Sequence, residues 1–144
     1  MAQLGPITHL TIHCAATPEG RFVTAEQLCA WDKAKFGQTS YHWVVELDGS
    51  KHQTLKDDQL GAHVGGHNTG NIGVCYVGGV CKDNKTPKDT RTDAQKASLL
   101  EIVKIYKERY PGIIILGHHD WPGVQKACPS FDAGAWLKQV GEVK

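Results

Sequence analysis

The sequence predicts an α/β or α+β fold, a β-sheet with helices packed on it. Three observations predict it. Short apolar runs of strand length recur along the chain, such as THLTIHC (8–14) and IGVCYVGG (72–79). Two longer segments open on Thr-x-x-Gln, the signature of a capped helix start. Strand and helix signals alternate instead of separating into blocks, which argues for one sheet with about three flanking helices.

In order along the chain, residues 8–14 form the first strand. Thr24 and Gln27 then cap a helix over about 25–36, which Gly37 ends. Residues 41–55 (YHWVVELDGSKHQTL) read as a β-hairpin turning at Asp48-Gly49. The segment 61–71 is rich in Gly, His and Asn and reads as loop. Residues 72–79 are a buried strand closed by glycines, and 81–91 are a charged surface loop. Thr92 and Gln95 cap a second helix, which places Leu99, Ile102, Val103 and Tyr106 on one face and stops at Pro111-Gly112. The run 113–118 (IIILGH) is apolar up to its histidine, as central strands covered on both faces are. A short helix follows Asp132.

A chain of 144 residues suits one domain, here 1–144 with its core over about 8–138. A domain of this size buries enough surface to fold without disulfides or a structural metal, so a metal here is expected to serve function. The net charge of +1 gives no pull toward nucleic acid or anionic lipid, and neither is expected as a partner. No apolar run reaches the roughly 18 residues a membrane span needs, so no membrane insertion is expected. The five cysteines form no CxxC pair and are read as reduced thiols, at most one of them in use. The start MAQLGPITHLTIHC lacks the basic end and apolar run of a signal peptide, which points to synthesis in a cytoplasm.

The chemistry-bearing residues concentrate at strand ends. In 8–14, Leu10, Ile12 and Cys14 take one face, and His9, Thr11 and His13 take the other. His13 stands near the strand's C-terminal end. Of the neighbours His118 and His119 only one can point into a given cleft, and His118 is the better fixed by its strand. Lys126 and Cys128 project to the same side if that stretch is extended. A lysine there would lower the thiol pKa, and a metal would deprotonate the thiol outright. His13, His118 and Cys128 together would make a His2Cys zinc centre with one coordination position left for water. A cysteine nucleophile at Cys14 or Cys128 is the alternative chemistry, although neither begins a helix, where the dipole would favour a thiolate. His63 and His67 have the spacing of a helical metalloprotease pair, but Gly65 and Gly66 oppose a helix and Val64 stands where that motif needs glutamate. Tyr41, taken alone, reads as a strand aromatic sharing a face with Trp43, and Lys126 as a solvated lysine. His9, His42 and His52 read as structural or surface residues.

Five segments together resemble one family, the zinc-dependent N-acetylmuramoyl-L-alanine amidases of the amidase-2 class. That class includes small phage lysozymes of amidase type and, more distantly, peptidoglycan recognition proteins. The segments are IHCAAT (12–17), SYHWVVELDGS (40–50), GAHVGGHNTGNIGVCYVGG (61–79), HHD (118–120) and KACPSFD (126–132). The resemblance implies a central mixed sheet flanked by helices, with one zinc on the floor of a groove. It assigns the ligands to His13, His118 and Cys128, and catalytic roles to Tyr41 and Lys126. The spacing from His118 to Cys128 is slightly longer than in the nearest phage members, which leaves Trp121 in DWPGVQ available to stack on a sugar or peptide. His63 or Asn68 is expected to touch the stem peptide.

The implied reaction is hydrolysis of the amide between N-acetylmuramic acid and L-alanine in peptidoglycan. The setting it implies is a phage or prophage endolysin made in the host cytoplasm, acting on the wall after release, as a monomer. The alternative is a non-catalytic peptidoglycan-binding module, but binding-only members of the family tend to lack the cysteine that stands here at 128. Some phage members also bind the phage's own RNA polymerase, and the short arm before His13 argues neither for nor against that contact.

Overall fold

A computed structural model describes residues 6–142, so the first five residues of that arm lie outside the described residues. Five strands form a mixed sheet in the order β4-β3-β5-β1-β7. They are β1 (His9–Cys14), β3 (Trp43–Val45), β4 (Lys51–Gln53), β5 (Asn71–Tyr76) and β7 (Ile114–Gly117). All pairings in it are parallel except β3 with β4, which is the expected hairpin. Its turn contains Gly49 at φ 88°, a left-handed conformation that glycine adopts without strain. Two-residue strands β2 (Thr17–Pro18) and β6 (Gly79–Val80), too short to leave a sequence pattern, pair beside the main sheet.

The helices are α1 (Ala25–Phe36), α2 (Asp93–Arg109) and α3 (Ala133–Gln139). Both expected capping boxes are present, Thr24 with Gln27 and Thr92 with Gln95, and Gly37 ends α1 in the left-handed region. Asp132 caps α3 by accepting from the Ala135 N–H. Period-2 alternation sorts the strands onto two layers. Leu10, Ile12 and Cys14 of β1 join Ile72, Val74 and Tyr76 of β5 under Leu99, Ile102, Val103 and Tyr106 of α2 and Trp136 and Leu137 of α3. On the opposite face, Val44 and Cys75 pack with Ala25 and Leu28 of α1. That helix sits with the β3–β5 side, and the same face of β1 carries Thr11 and His13, both buried.

Two expectations are corrected. The run 113–118 is not a central strand: β7 pairs only with β1 at the sheet edge, and Ile114 is 54% exposed. An apolar run marks burial of part of a strand and cannot say how many neighbours the strand has. Tyr41 and Trp43 do not share a face. Tyr41 precedes β3 and packs toward the α1 layer, whereas Trp43 lies in the α2 layer and donates its indole N–H to the Tyr106 hydroxyl at 2.8 Å. Alternation applies only within the strand, and the strand begins at Trp43.

The Tyr106 hydroxyl in turn donates to Asp57, which also accepts from Tyr110 at 2.8 Å and from the Arg109 guanidinium at 2.7 Å. Burial acts to raise the Asp57 pKa, but these three donors together hold it below the usual carboxylate value. The network therefore stabilises the fold above the unfolded carboxylate pKa and loses that contribution as pH falls through the lower folded value. Asp57→Asn should cost about 1–2 kcal/mol at pH 7 in urea titrations. Its difference from the unsubstituted protein should shrink below about pH 4.

Candidate metal centre

The parallel register places Ile12 opposite Gly117, so His13 and His118, the next residues along, emerge side by side at the C-terminal ends of β1 and β7. Their rings lie 4.5 Å apart between centroids. Open α/β sheets place ligands at this end of their strands. His118 is not the last strand residue but the first of a single 3-10 turn, His118–Asp120. That turn separates the two histidines. His119 is directed back into its own loop, with Nδ1 3.2 Å from the Ala127 carbonyl and Nε2 3.3 Å from Asp120.

Cys128 arrives on the loop that follows. Its carbonyl accepts from the His119 N–H at 2.9 Å, and its Sγ accepts from the Cys14 N–H at 3.1 Å. Beyond it, the Pro129 carbonyl accepts from the Tyr76 hydroxyl at 2.6 Å, and the Ser130 hydroxyl donates to the Gly79 carbonyl at 2.8 Å. The loop is thus anchored on the two central strands and β6. One ligand-capable atom from each of His13, His118 and Cys128 falls within 4.8 Å of the others. His13 Nδ1 is 3.8 Å from Cys128 Sγ. Ligands at the usual Zn–N and Zn–S lengths, about 2.0 and 2.3 Å, stand about 3.5 Å apart in a tetrahedron, so the donor set fits zinc in chemistry and in scale.

The protonation states suit that use. Burial, then His63, His118 and Lys126, hold the His13 pKa well below the ordinary imidazole value. Burial and Lys126 also lower that of His118. Both shifts favour the neutral ring, the form that binds a metal. The Cys128 thiol is pushed up by its neighbour Cys14 and by burial, so a divalent cation is the group that would make it a thiolate. Neither cysteine stands at a helix N-terminus. The Cys14 thiol is brought down to about 7 by its hydrogen bond with Cys128, but it is buried in the apolar layer under α2 and α3.

A groove of about 360 Å³ lies over this cluster, with Tyr41, Lys126 and Ala62 on its walls and Trp31, Lys35 and Phe36 of α1 along one side. Tyr41 stacks obliquely on His13 at 5.1 Å. Burial, then Cys75 and Cys128, keep its phenol pKa well above the ordinary value, so it remains a hydrogen-bond donor. A cavity of similar size between α2 and α3 meets Arg91, but that guanidinium is already bound to Asp89 and stacked 3.4 Å from the Phe131 ring.

Three sequence expectations are placed differently. Trp121 is engaged within the protein: its indole N–H donates to Thr11 at 3.0 Å, His67 stacks on it at 4.7 Å, and His9 packs at 5.0 Å. Asn68 spends its side-chain oxygen on the backbone N–H groups of His63 and Val64, though it still borders a smaller cavity beside His118 and Lys126. His63 is 8% exposed and borders the groove, and its ring faces His13 directly, with Nδ1 2.9 Å from His13 Nε2. Burial holds its pKa down to about 3. Reading residues 61–71 as loop did not reveal this contact, because no local pattern marks a histidine that folds inward under a strand. The aromatic wall from α1 was missed as well, although Trp31 and Phe36 are 44% and 53% exposed. His42 is structural as expected, accepting from the Gly73 N–H at 3.0 Å and bonded to the Gln59 carbonyl at 2.8 Å.

Three ligand-capable side chains at the strand ends, with room for a fourth group, are the donor set of a catalytic rather than a structural metal site. The family profile for N-acetylmuramoyl-L-alanine amidase matches residues 3–131. The endolysin of Enterobacteria phage K11 is 34% identical over 134 residues, covering 92% of this chain and 85% of that protein. The endolysin of Escherichia phage T7 is 33% identical over 130 residues, covering 89% and 83%. Among solved structures, the Ph2119 endolysin from Thermus scotoductus MAT2119 bacteriophage Ph2119 shares the fold at TM-score 0.79 and 20% identity, over 98% of this chain and 88% of that one. The chain belongs to the N-acetylmuramoyl-L-alanine amidase family and is an enzyme of that class.

The geometry gives a direct expectation for the doubled histidine. Purified protein should hold one zinc per chain by elemental analysis. His118→Ala should lose it, and His119→Ala should retain it; the reverse pattern would overturn the ligand choice.

Proposed function

We propose that this protein is a zinc-dependent phage lysin that hydrolyses the amide joining N-acetylmuramic acid to the L-alanine of the peptidoglycan stem. The observation that carries the reading is the convergence of His13, His118 and Cys128 on the floor of an open groove. The endolysins of phages K11 and T7 support the wall as target. So does a fold neighbour, a mutant of Drosophila PGRP-LB solved in complex with tracheal cytotoxin, at TM-score 0.75 and 15% identity. Among the described residues no helix is long and apolar enough to cross a membrane.

His13, His118 and Cys128 would hold the metal. Zinc bound there supplies Lewis acidity and lowers the pKa of a water toward neutrality. Two neutral imidazoles and one thiolate leave the centre with a formal charge of +1, less than three histidines would. Stabilisation of the developing oxyanion by protein groups is correspondingly more important. Tyr41 is protonated and packed beside His13, so it donates a hydrogen bond where negative charge grows at the amide oxygen. Lys126 brings a cation to the same groove, and its field reaches His13 and His118. The exposed rings of Trp31 and Phe36 offer apolar area to the substrate along the groove.

Digestion of purified peptidoglycan followed by mass spectrometry decides the bond. New free L-alanine amino termini are expected, and activity should vanish on thorough chelation and return with zinc. New reducing sugar ends, or activity that survives metal removal, would refute the reading. Tyr41→Phe and Lys126→Ala should each lower kcat by roughly 100- to 1000-fold, with zinc content unchanged.

A further inference from the structure

His13 is connected to the protein through the nitrogen that does not face Cys128. The chain of contacts has three members. His63 Nε2 lies 2.9 Å from the Asn71 carbonyl on β5. His63 Nδ1 lies 2.9 Å from His13 Nε2. His13 Nδ1 faces Cys128 Sγ at 3.8 Å.

A carbonyl oxygen can only accept, so the proton of neutral His63 sits on Nε2. Its Nδ1 then carries a lone pair and can only accept, so His13 Nε2 must be the donor. A neutral imidazole has one N–H, which leaves His13 Nδ1 as a lone pair aimed at the cluster. One backbone carbonyl on β5 thus decides, through two rings, which nitrogen of His13 is available.

The structure is built around this ring. A Cβ on Gly73 would stand 2.8 Å from His63, and one on Gly61 would stand 2.9 Å from it, so side chains at either position would displace the imidazole. Asn68 fixes the backbone at residues 63 and 64 by accepting both N–H groups, at 2.9 and 2.8 Å. His42 packs edge-on at 5.9 Å and binds the Gly73 N–H, holding the strand that supplies the space.

We infer that His63 is a positioning residue that fixes the His13 tautomer and ring orientation, with the Asn71 carbonyl as terminal acceptor, so that His13 presents Nδ1 to the metal. The assignment of His13 as a ligand rests on the function proposed above, whereas the tautomer does not depend on a metal. A hydrogen-bonding partner behind a metal-bound histidine characteristically changes metal affinity about 10- to 100-fold when removed.

Two measurements test it. Long-range 1H–15N correlation spectra of the full chain, with and without zinc, should show a protonated Nε2 on both His13 and His63. A protonated Nδ1 on His13 would overturn the inference whether or not zinc binds. In competition against a chromophoric chelator, with zinc alone as the probe, His63→Phe should bind about 10- to 100-fold more weakly than the unsubstituted chain. His63→Gln, which restores an acceptor oxygen, should recover most of that loss. Unchanged affinity in His63→Phe would overturn the inference. Failure of the unsubstituted chain to bind zinc would instead defeat the metal assignment and leave the tautomer to the spectra.

Discussion

Strand β1 is hydrogen-bonded along both edges, to β5 on one side and β7 on the other, and its residues from Leu10 to Cys14 are all buried. That double pairing is the constraint on which the rest depends. It allows no slip, because a one-residue shift would drive His13 into the apolar layer and Ile12 into the site. It also makes one strand serve two purposes. Leu10, Ile12 and Cys14 supply the core under α2 and α3, and Thr11 and His13 supply the polar face beneath the groove. Parallel pairing with β7 then brings the start of the 118–128 loop to the same sheet end without any local signal between the two segments.

Burying polar rings on the second face is costly unless each finds a partner. The face solves this with a connected set. Thr11 donates to Asn71 at 2.8 Å and accepts from Trp121; His63 joins His13 to the Asn71 carbonyl; His42 joins β5 to the Gln59 carbonyl. Trp121 acts as a brace here, tying the 118–128 loop to the outer part of β1. The rings facing the groove stay neutral because burial and the nearby Lys126 both oppose imidazolium.

Cys14 and Cys128 show how tightly core and site are joined. Cys14 belongs to the apolar layer, yet its backbone N–H is the donor to the Cys128 sulfur. The loop that carries Cys128 is in turn fastened by Tyr76, whose ring is buried beneath α2 and whose hydroxyl reaches Pro129. Groups that set the fold therefore also set the position of the sulfur.

The sequence by itself determined the local elements. The two Thr-x-x-Gln boxes, the Gly37 stop, the Asp48-Gly49 turn and the Asp132 start are short-range chemistry and lie where the pattern puts them. It also determined the family, because five motifs in order are specific together, and the candidate ligands His13, His118 and Cys128 with them. Only the tertiary structure decided what depends on contacts between distant residues. Whether 113–118 lies at the centre or the edge depends on strand order, to which an apolar run is blind. Which of the doubled histidines turns inward depends on a 3-10 turn held by hydrogen bonds from the returning loop. Trp121 and Asn68 looked available for substrate, but their polar groups are taken by Thr11 and by backbone N–H groups. His63, fifty residues from His13 in the chain, becomes its partner only because Gly61 and Gly73 leave room for a ring between loop and sheet. Hydrogen-bond satisfaction in a buried layer is a property of the assembled fold, and no local pattern encodes it.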